Sequence, residues 1–277
     1  MFIRLARYLD QKRLLNFNVW EFSLRNVTRF YPYYYLFFVL LRRPVAAMKG
    51  FQQYLRLAKN SDQQPLPGNS SPEVVLPSGP DGDLVIGPGF CLKPWDDVRK
   101  TSLCPAGQFN HRCLLLESPE TLYNSKNEPR PPCNTCTIAK LGEMAAQCGA
   151  SIYIMTSGFD IARDLFKPAL TNAGPRTGLF FLCAYSNNAF TFGMCTSGIR
   201  GANINFCRGD CRNHLDFTKA DVGIKPEQTE IAPTDWEAVT RLLPGGQRIP
   251  DGTFEYRNHV YINKRTRPNR AAKRSIP

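Results

Sequence analysis

From residue 84 onward the apolar positions fall into two alternating patterns, short unbroken runs and longer stretches with helical spacing. The runs "LVI" at 84–86, "ASIYIMTSG" at 150–158, "TGLFFLCAYS" at 177–186 and "GANINFCRGDC" at 201–211 read as buried strands. "CLLLE" at 113–117 reads as a further short strand. Between them, "TCTIAKLGEMAAQCG" sets Ile138, Leu141, Ala145 and Cys148 on one helical face and stops at Gly149. "FDIARDLFKPAL" at 159–170 reads as the next helix, with Asp160 at its start, and "NNAFTFGMCTSG" at 187–198 as a short one. Uninterrupted apolar strands alternating with helices predict an α/β fold, a short parallel sheet covered on both faces.

Outside this region the pattern changes. Residues 60–84, rich in Pro, Ser, Gly and Asp, and the polar, Pro-containing stretch 117–132 read as loosely ordered connections. The expected organisation is a basic, aromatic helical arm over 1–59 and a linker over 60–84. A cysteine-rich α/β domain follows over 85–242, then an irregular basic tail over 243–277. The formal net charge of +12 belongs to the ends: residues 1–59 carry 11 Lys/Arg against Asp10 and Glu21, and residues 257–277 carry seven Lys/Arg and no acid. In the arm, the uncharged apolar stretch 30–41 contains Pro32. It is too short to span a bilayer, which takes about 20 residues. Tyr33, Tyr34, Phe37 and Phe38 beside Arg25, Arg29, Arg42 and Arg43 suit an anionic membrane surface, or else packing on the body. The tail "KRTRPNRAAKR" suits nucleic acid or acidic lipid, or else simple solvation.

The chemistry lies in the ten cysteines. The first residues carry five charges and no signal peptide of the usual kind, so a reducing cytoplasmic setting is expected, where clustered thiols bind metals or do redox work. Cys133 and Cys136 form a CxxC at a helix N-terminus, where amides and the helix dipole are expected to lower thiol pKa values. In a parallel sheet, strand C-termini and the following helix N-termini share one edge. Cys133, Cys136, Cys183, Cys207 and Cys211 are therefore expected to converge there as metal ligands. Cys91, Cys104 and Cys113 are expected to join them or form a second cofactor-binding group. Eight thiols suit one or two iron–sulfur clusters, expected as 4Fe–4S, while Cys133, Cys136, Cys207 and Cys211 alone would make a closed zinc site. Cys148 and Cys195 read as small core residues.

The motifs "GFCLKPWDD", "LCPA", "PCNTCTIAKL", "AAQCGASIYIMTSG", "FFLCAYS" and "CRGDC" occur in the order seen in the bacterial and archaeal domain of unknown function 116 family, which the chain resembles over roughly residues 85–225. The resemblance implies a cysteine-rich iron–sulfur protein, often with a membrane-associated N-terminal segment. It matches Cys91, Cys104, Cys133, Cys136, Cys183 and Cys211 to the family's cysteines. Many members carry a third cysteine close to the CxxC; here the nearest upstream one is Cys113.

Other polar residues have plainer readings. His111 is expected at the surface or as a cap, His259 as solvated, and His214 and Asp216 as turn residues or a proton donor and acceptor. "TSG" at 156–158 is a strand-end turn with or without an anion. "CRGDCRNH" has the spacing of a radical S-adenosylmethionine signature with histidine as its last ligand, but it follows the last strand rather than the first. Three classes stay open: a metal-bound redox or accessory protein with a redox or enzyme partner, an enzyme using an open cluster site or a reactive cysteine such as Cys183, and a zinc-stabilised interaction protein.

Overall fold

The computed structural model describes residues 43–60, 84–170, 174–221, 223–243 and 245–266. The aromatic stretch and its flanking arginines up to Arg42, nearly all of the linker, and the tail from residue 267 lie outside the described residues. The fold is α/β. Strands β1 (Leu84–Pro88), β4 (Ser151–Ile152), β5 (Thr177–Leu182) and β6 (Arg200–Arg208) pair in parallel. They are flanked by antiparallel β7 (Glu230–Ile231) on one side and by the hairpin β8 (Phe254–Arg257) and β9 (Val260–Asn263) on the other. The strand order is β7-β6-β5-β1-β4-β9-β8; β2 (Trp95–Asp96) and β3 (Thr101–Ser102) form a separate small ribbon.

Alternation along the strands builds two cores. Leu84 and Ile86 of β1, Leu179 and Phe181 of β5 and Ala202 and Ile204 of β6 face one layer, which receives Ile138, Leu141 and Ala145 of helix α4 (Thr137–Cys148). Val85, Phe180 and Leu182 face the other. There they meet Leu165 and Phe166, in the π turn Ala162–Phe166 between α5 (Gly158–Ile161) and α6 (Lys167–Leu170). Phe190 and Met194 of α7 (Ala184–Ser197) complete this layer. Strands buried on both faces have no polar side to display, hence the continuous apolar runs. Gly149 ends α4 with φ +74°, a left-handed cap that a side chain would strain, as expected from the sequence. Helix α1 (Pro44–Asn60) lies on α7, with Tyr54 buried edge-on to Phe192 at 5.4 Å. Among the described residues no helix is long and apolar enough to cross a membrane.

Three expectations are corrected. "CLLLE" is helical: Cys113 caps the single turn α2 (Leu114–Glu117), and the adjacent Leu115 and Leu116 are both buried, as one turn against a core permits. It is followed by α3 (Pro119–Leu122). The segment after residue 243 is not irregular throughout, since β8 and β9 extend the sheet and Tyr261 of β9 pairs with Ile152 of β4. Cys148 is exposed, whereas Cys195 is buried against Tyr54 as expected. The remaining helices are α8 (His214–Asp221) and α9 (Pro233–Leu242).

Candidate metal centre and adjoining pocket

The connection from β1 runs through α4 to β4 on one side, and that from β5 runs through α7 to β6 on the other. Neighbouring strands β1 and β5 thus send their chains in opposite directions, which opens a crevice at their carboxyl ends. The cysteines collect at this edge, but in two groups that cut across the predicted ones.

The first group is Cys104, Cys113, Cys133 and Cys136, which line one small pocket together with Lys93. Cys104 sits in the loop after β3, its N–H donating to Ser102 Oγ at 3.2 Å. Cys113 begins α2, and its N–H donates to Tyr261 Oη at 2.7 Å. Cys133 lies in a 3₁₀ turn, and Cys136 is the N-cap of α4. The expectation of lowered thiol pKa values fails here. Burial pushes Cys136 up to about 12 and outweighs the helix amides, and it also raises Cys113 and Cys133. Each of these thiols feels its neighbours' charge, so four thiolates need a cation among them. Lys93, 1% exposed, supplies part of it: its ammonium donates to Gly107 O at 2.8 Å, Asn110 O at 2.9 Å and Asn110 Oδ1 at 2.7 Å. Burial lowers the Lys93 pKa, and Cys104, Cys113 and Cys136 pull it back up.

The donor set suits a thiophilic group. Tetrahedral zinc, with Zn–S near 2.3 Å, would draw four sulfurs to about 3.8 Å of one another. Among the described residues no three cysteine sulfurs lie within 4.8 Å of one another.

The second group is Cys91, Cys183 and Cys211, which line a cavity of about 120 Å³ at the β1–β5 crevice. Cys91 follows β1 in the 3₁₀ turn Phe90–Leu92, and Cys183 follows β5 as the N-cap of α7. Cys211 follows β6 after a turn at Gly209, where φ is +64° and a Cβ would come within 2.3 Å of Gln228 O. Cys91 and Cys211 line the same cavity and act on each other: Cys211 holds Cys91 below its ordinary value, and Cys91 together with burial raises Cys211. Cys183 Sγ lies 2.7 Å from Ser186 Oγ, and burial pushes its thiol up to about 11. A second buried lysine, Lys225, donates to Cys91 O at 3.0 Å and Thr229 Oγ1 at 2.6 Å. Its charge acts on both Cys91 and Cys211.

Cys207 joins neither group. It is exposed near the end of β6, with Sγ 3.5 Å from Glu230 O, because the pleat turns it away from its neighbour Phe206. The single site shared by Cys133, Cys136, Cys183, Cys207 and Cys211 is therefore not what the chain builds. Cys91, Cys104 and Cys113 do not form a group of their own either.

Sequence reading missed Lys93 and Lys225; the only signal available was a lysine directly inside an apolar cysteine segment such as "GFCLKPW". It also missed a polar network beside the cavity. His111 is not a surface residue: Nδ1 lies 2.7 Å from Ile154 O and Nε2 3.1 Å from Thr156 Oγ1. Thr156 and Ser157 donate to Asp160 Oδ2 at 2.8 and 2.7 Å, so the "TSG" turn serves its own chain. These bonds and His111 hold the Asp160 carboxyl well below its usual range against the opposing effect of burial. His259 is not simply solvated; it stacks on His111 at 4.5 Å and lies 2.9 Å from Asp164 Oδ2. His111, Asp164 and His259 offer ligand atoms within 4.8 Å of one another. The Arg163 guanidinium already occupies that space, 2.6 and 2.7 Å from Asp164 and 2.9 Å from His259 Nδ1, which disfavours a second cation. Asp216 accepts from the Arg212 N–H at 3.2 Å and closes a turn.

Comparison with family models, with curated proteins and with solved structures finds no match to this chain. The resemblance to the domain of unknown function 116 family rests on its motif residues alone.

Proposed function

We propose that the chain is an iron–sulfur protein with a redox or accessory role, and that Cys104, Cys113, Cys133 and Cys136 are the ligands of a [4Fe–4S] cluster. The observation that carries this is the meeting of four cysteines from three chain segments around one small pocket beside the Lys93 ammonium. A cluster held there supplies one-electron transfer. The chain's own residues do the rest. The first turn of α4 offers its amides to Cys136, and α2 and Tyr261 fix Cys113. Lys93 offsets part of the negative charge that four thiolates bring. Placement at an anionic membrane surface through the basic, aromatic arm belongs to the same reading.

Anaerobic purification of the full chain, followed by iron, sulfide and zinc analysis and by EPR of the reduced protein, tests it. Iron with acid-labile sulfide is expected, reduced in the Cys133→Ser/Cys136→Ser variant. Zinc without iron, or no metal after reconstitution, overturns it.

A further inference from the structure

We propose that the cavity at the β1–β5 crevice binds a neutral, single-ring aromatic molecule carrying one hydrogen-bond donor, of which phenol is the simplest example. The site is separate from the four-cysteine group and does not depend on its cofactor.

The cavity lies where an open α/β sheet holds its ligands, at the carboxyl ends of the parallel strands. Gly89 follows β1, Met155 and Thr156 follow β4, and Cys183 follows β5; all four line it. Its inner wall is aromatic, built from the buried rings of Phe90, Phe166, Phe190 and Phe206. Rings outside the lining hold this wall in place. Phe190 packs on Phe180 at 4.7 Å, and Phe90 meets Phe109 edge-on at 4.8 Å. An apolar space left empty destabilises a fold, so one kept open by braced rings points to an occupant. At about 120 Å³ it approaches the size of an engineered apolar cavity of about 150 Å³ that binds benzene, which sets the occupant at one ring. Surrounding rings favour an aromatic occupant, which they can meet edge to face or offset. The mouth is formed by half-buried residues, among them Ser186 and Ala189 in the first turns of α7 and Ile161 of α5.

The polar atoms define the rest of the ligand. Two small hydroxyls line the cavity, and each spends its only proton on the chain. Thr156 donates to Asp160 Oδ2 at 2.8 Å and has His111 Nε2 at 3.1 Å. Ser186 Oγ lies 2.7 Å from Cys183 Sγ and 3.2 Å from Cys183 O, and its proton goes to one of them. What these oxygens hold for a ligand is a lone pair, which selects an O–H or N–H. Ser186 is the acceptor, because it is half-buried at the mouth, whereas Thr156 is 7% exposed and already engages two ionisable groups. Among the described residues no Lys, Arg or His lines the cavity, so nothing there compensates a carboxylate. An apolar wall with a few convergent polar atoms is the usual form of a small-molecule site.

Isothermal titration calorimetry on the full chain, with phenol, toluene and benzoate, tests the site. Phenol and toluene differ in O–H against methyl, and benzoate adds a charge. Phenol should bind at least as tightly as toluene, although water holds its hydroxyl far more strongly. Benzoate should bind about tenfold more weakly than phenol, or not at all. In Ser186→Ala, phenol should weaken about fivefold to tenfold, the worth of one net hydrogen bond, while toluene binds as before. Ala189→Phe fills the mouth and should weaken both phenol and toluene about tenfold or more. Phenol should bind equally well to Cys133→Ser/Cys136→Ser, and before and after anaerobic loading with iron and sulfide, so this inference and the iron–sulfur reading fail separately. A folded chain that binds neither phenol nor toluene overturns the site. Toluene bound tenfold more tightly than phenol, or phenol unaffected by Ser186→Ala, overturns the donor. Unchanged affinity in Ala189→Phe places the ligand elsewhere and overturns the pocket. Phenol binding abolished by iron loading would put the cofactor in this cavity and overturn the inference as well.

Discussion

Lys93 shows most directly how single residues set up this edge of the sheet. A lysine that is 1% exposed is costly to keep charged, and three oxygen acceptors are spent on holding it. Burial lowers its pKa, and the thiols of Cys104, Cys113 and Cys136 act in the opposite sense. Its placement makes sense if anions gather beside it. Lys93→Met keeps the length of the side chain and removes the charge. The acceptors left unpaired should destabilise the fold by on the order of 1–3 kcal/mol. A cluster on the four cysteines should become harder to reduce, because a positive charge that favours the added electron has gone. Potentiometric titration followed by EPR measures this, and an unchanged midpoint would separate Lys93 electrically from the site. At this scale the sequence was partly legible. Cys133 and Cys136 could be placed at a helix start from the CxxC and the periodicity that follows. Their partners could not, because Cys104 and Cys113 reach the site from loops without periodicity, and strand parity alone turns Cys207 outward.

At the scale of elements, β1, β5, α4 and β6 were legible because burial on both faces leaves a continuous apolar run, and Gly149 marks a helix end. The hairpin β8–β9 was not. Its strands are four residues each and carry Arg257 and Lys264 at their margins, so composition pointed to a tail. Yet this hairpin supports the site. Tyr261 is fully buried, accepts the Cys113 N–H at 2.7 Å and donates to Glu117 Oε1 at 2.6 Å. Tyr261→Phe leaves the buried Cys113 amide unpaired, at a cost of about 1–3 kcal/mol. For a chain of this size that lowers the melting temperature by several degrees. Iron retention should fall with it, since Cys113 loses its anchor. Calorimetry and iron analysis on the same samples check both, and an unaltered melting temperature would show that the hairpin does not brace the cysteine.

A pH effect belongs to the contact between α1 and α7. Burial raises Tyr54 from 10.0 to about 12, with Cys195 adding to the shift. The folded pKa is above the unfolded one, so the folded state binds more protons between these values. The stabilisation is fully present below pH 10 and is lost as pH rises from 10 to about 12. Urea midpoints should fall across that window, and less steeply in Tyr54→Phe. Equal slopes in the two proteins would mean that Tyr54 ionises without loosening the helix.

For the whole molecule, the same contact moves the boundary of the N-terminal arm. The sequence places a single arm over 1–59, but Pro44–Asn60 is packed on the body, with Tyr54 buried and Phe51 edge-on to Phe192 at 6.3 Å. A chain cut at residue 59 would expose that face of α7 and confound membrane binding with loss of structure. Removal of residues 1–42 avoids this. It takes away Arg25, Arg29, Arg42 and the aromatic residues Tyr33, Tyr34, Phe37 and Phe38, and leaves α1 in place. Each basic residue near an anionic surface contributes on the order of 1 kcal/mol, an effect that fades with salt. The shortened protein should keep its iron and its melting temperature but no longer sediment with anionic vesicles at low salt. The full chain should sediment with anionic vesicles and much less with neutral ones. Equal sedimentation of both proteins would move the membrane contact away from the arm. Loss of iron or of stability on removing 1–42 would instead mean that these residues, like α1, are part of the packed body.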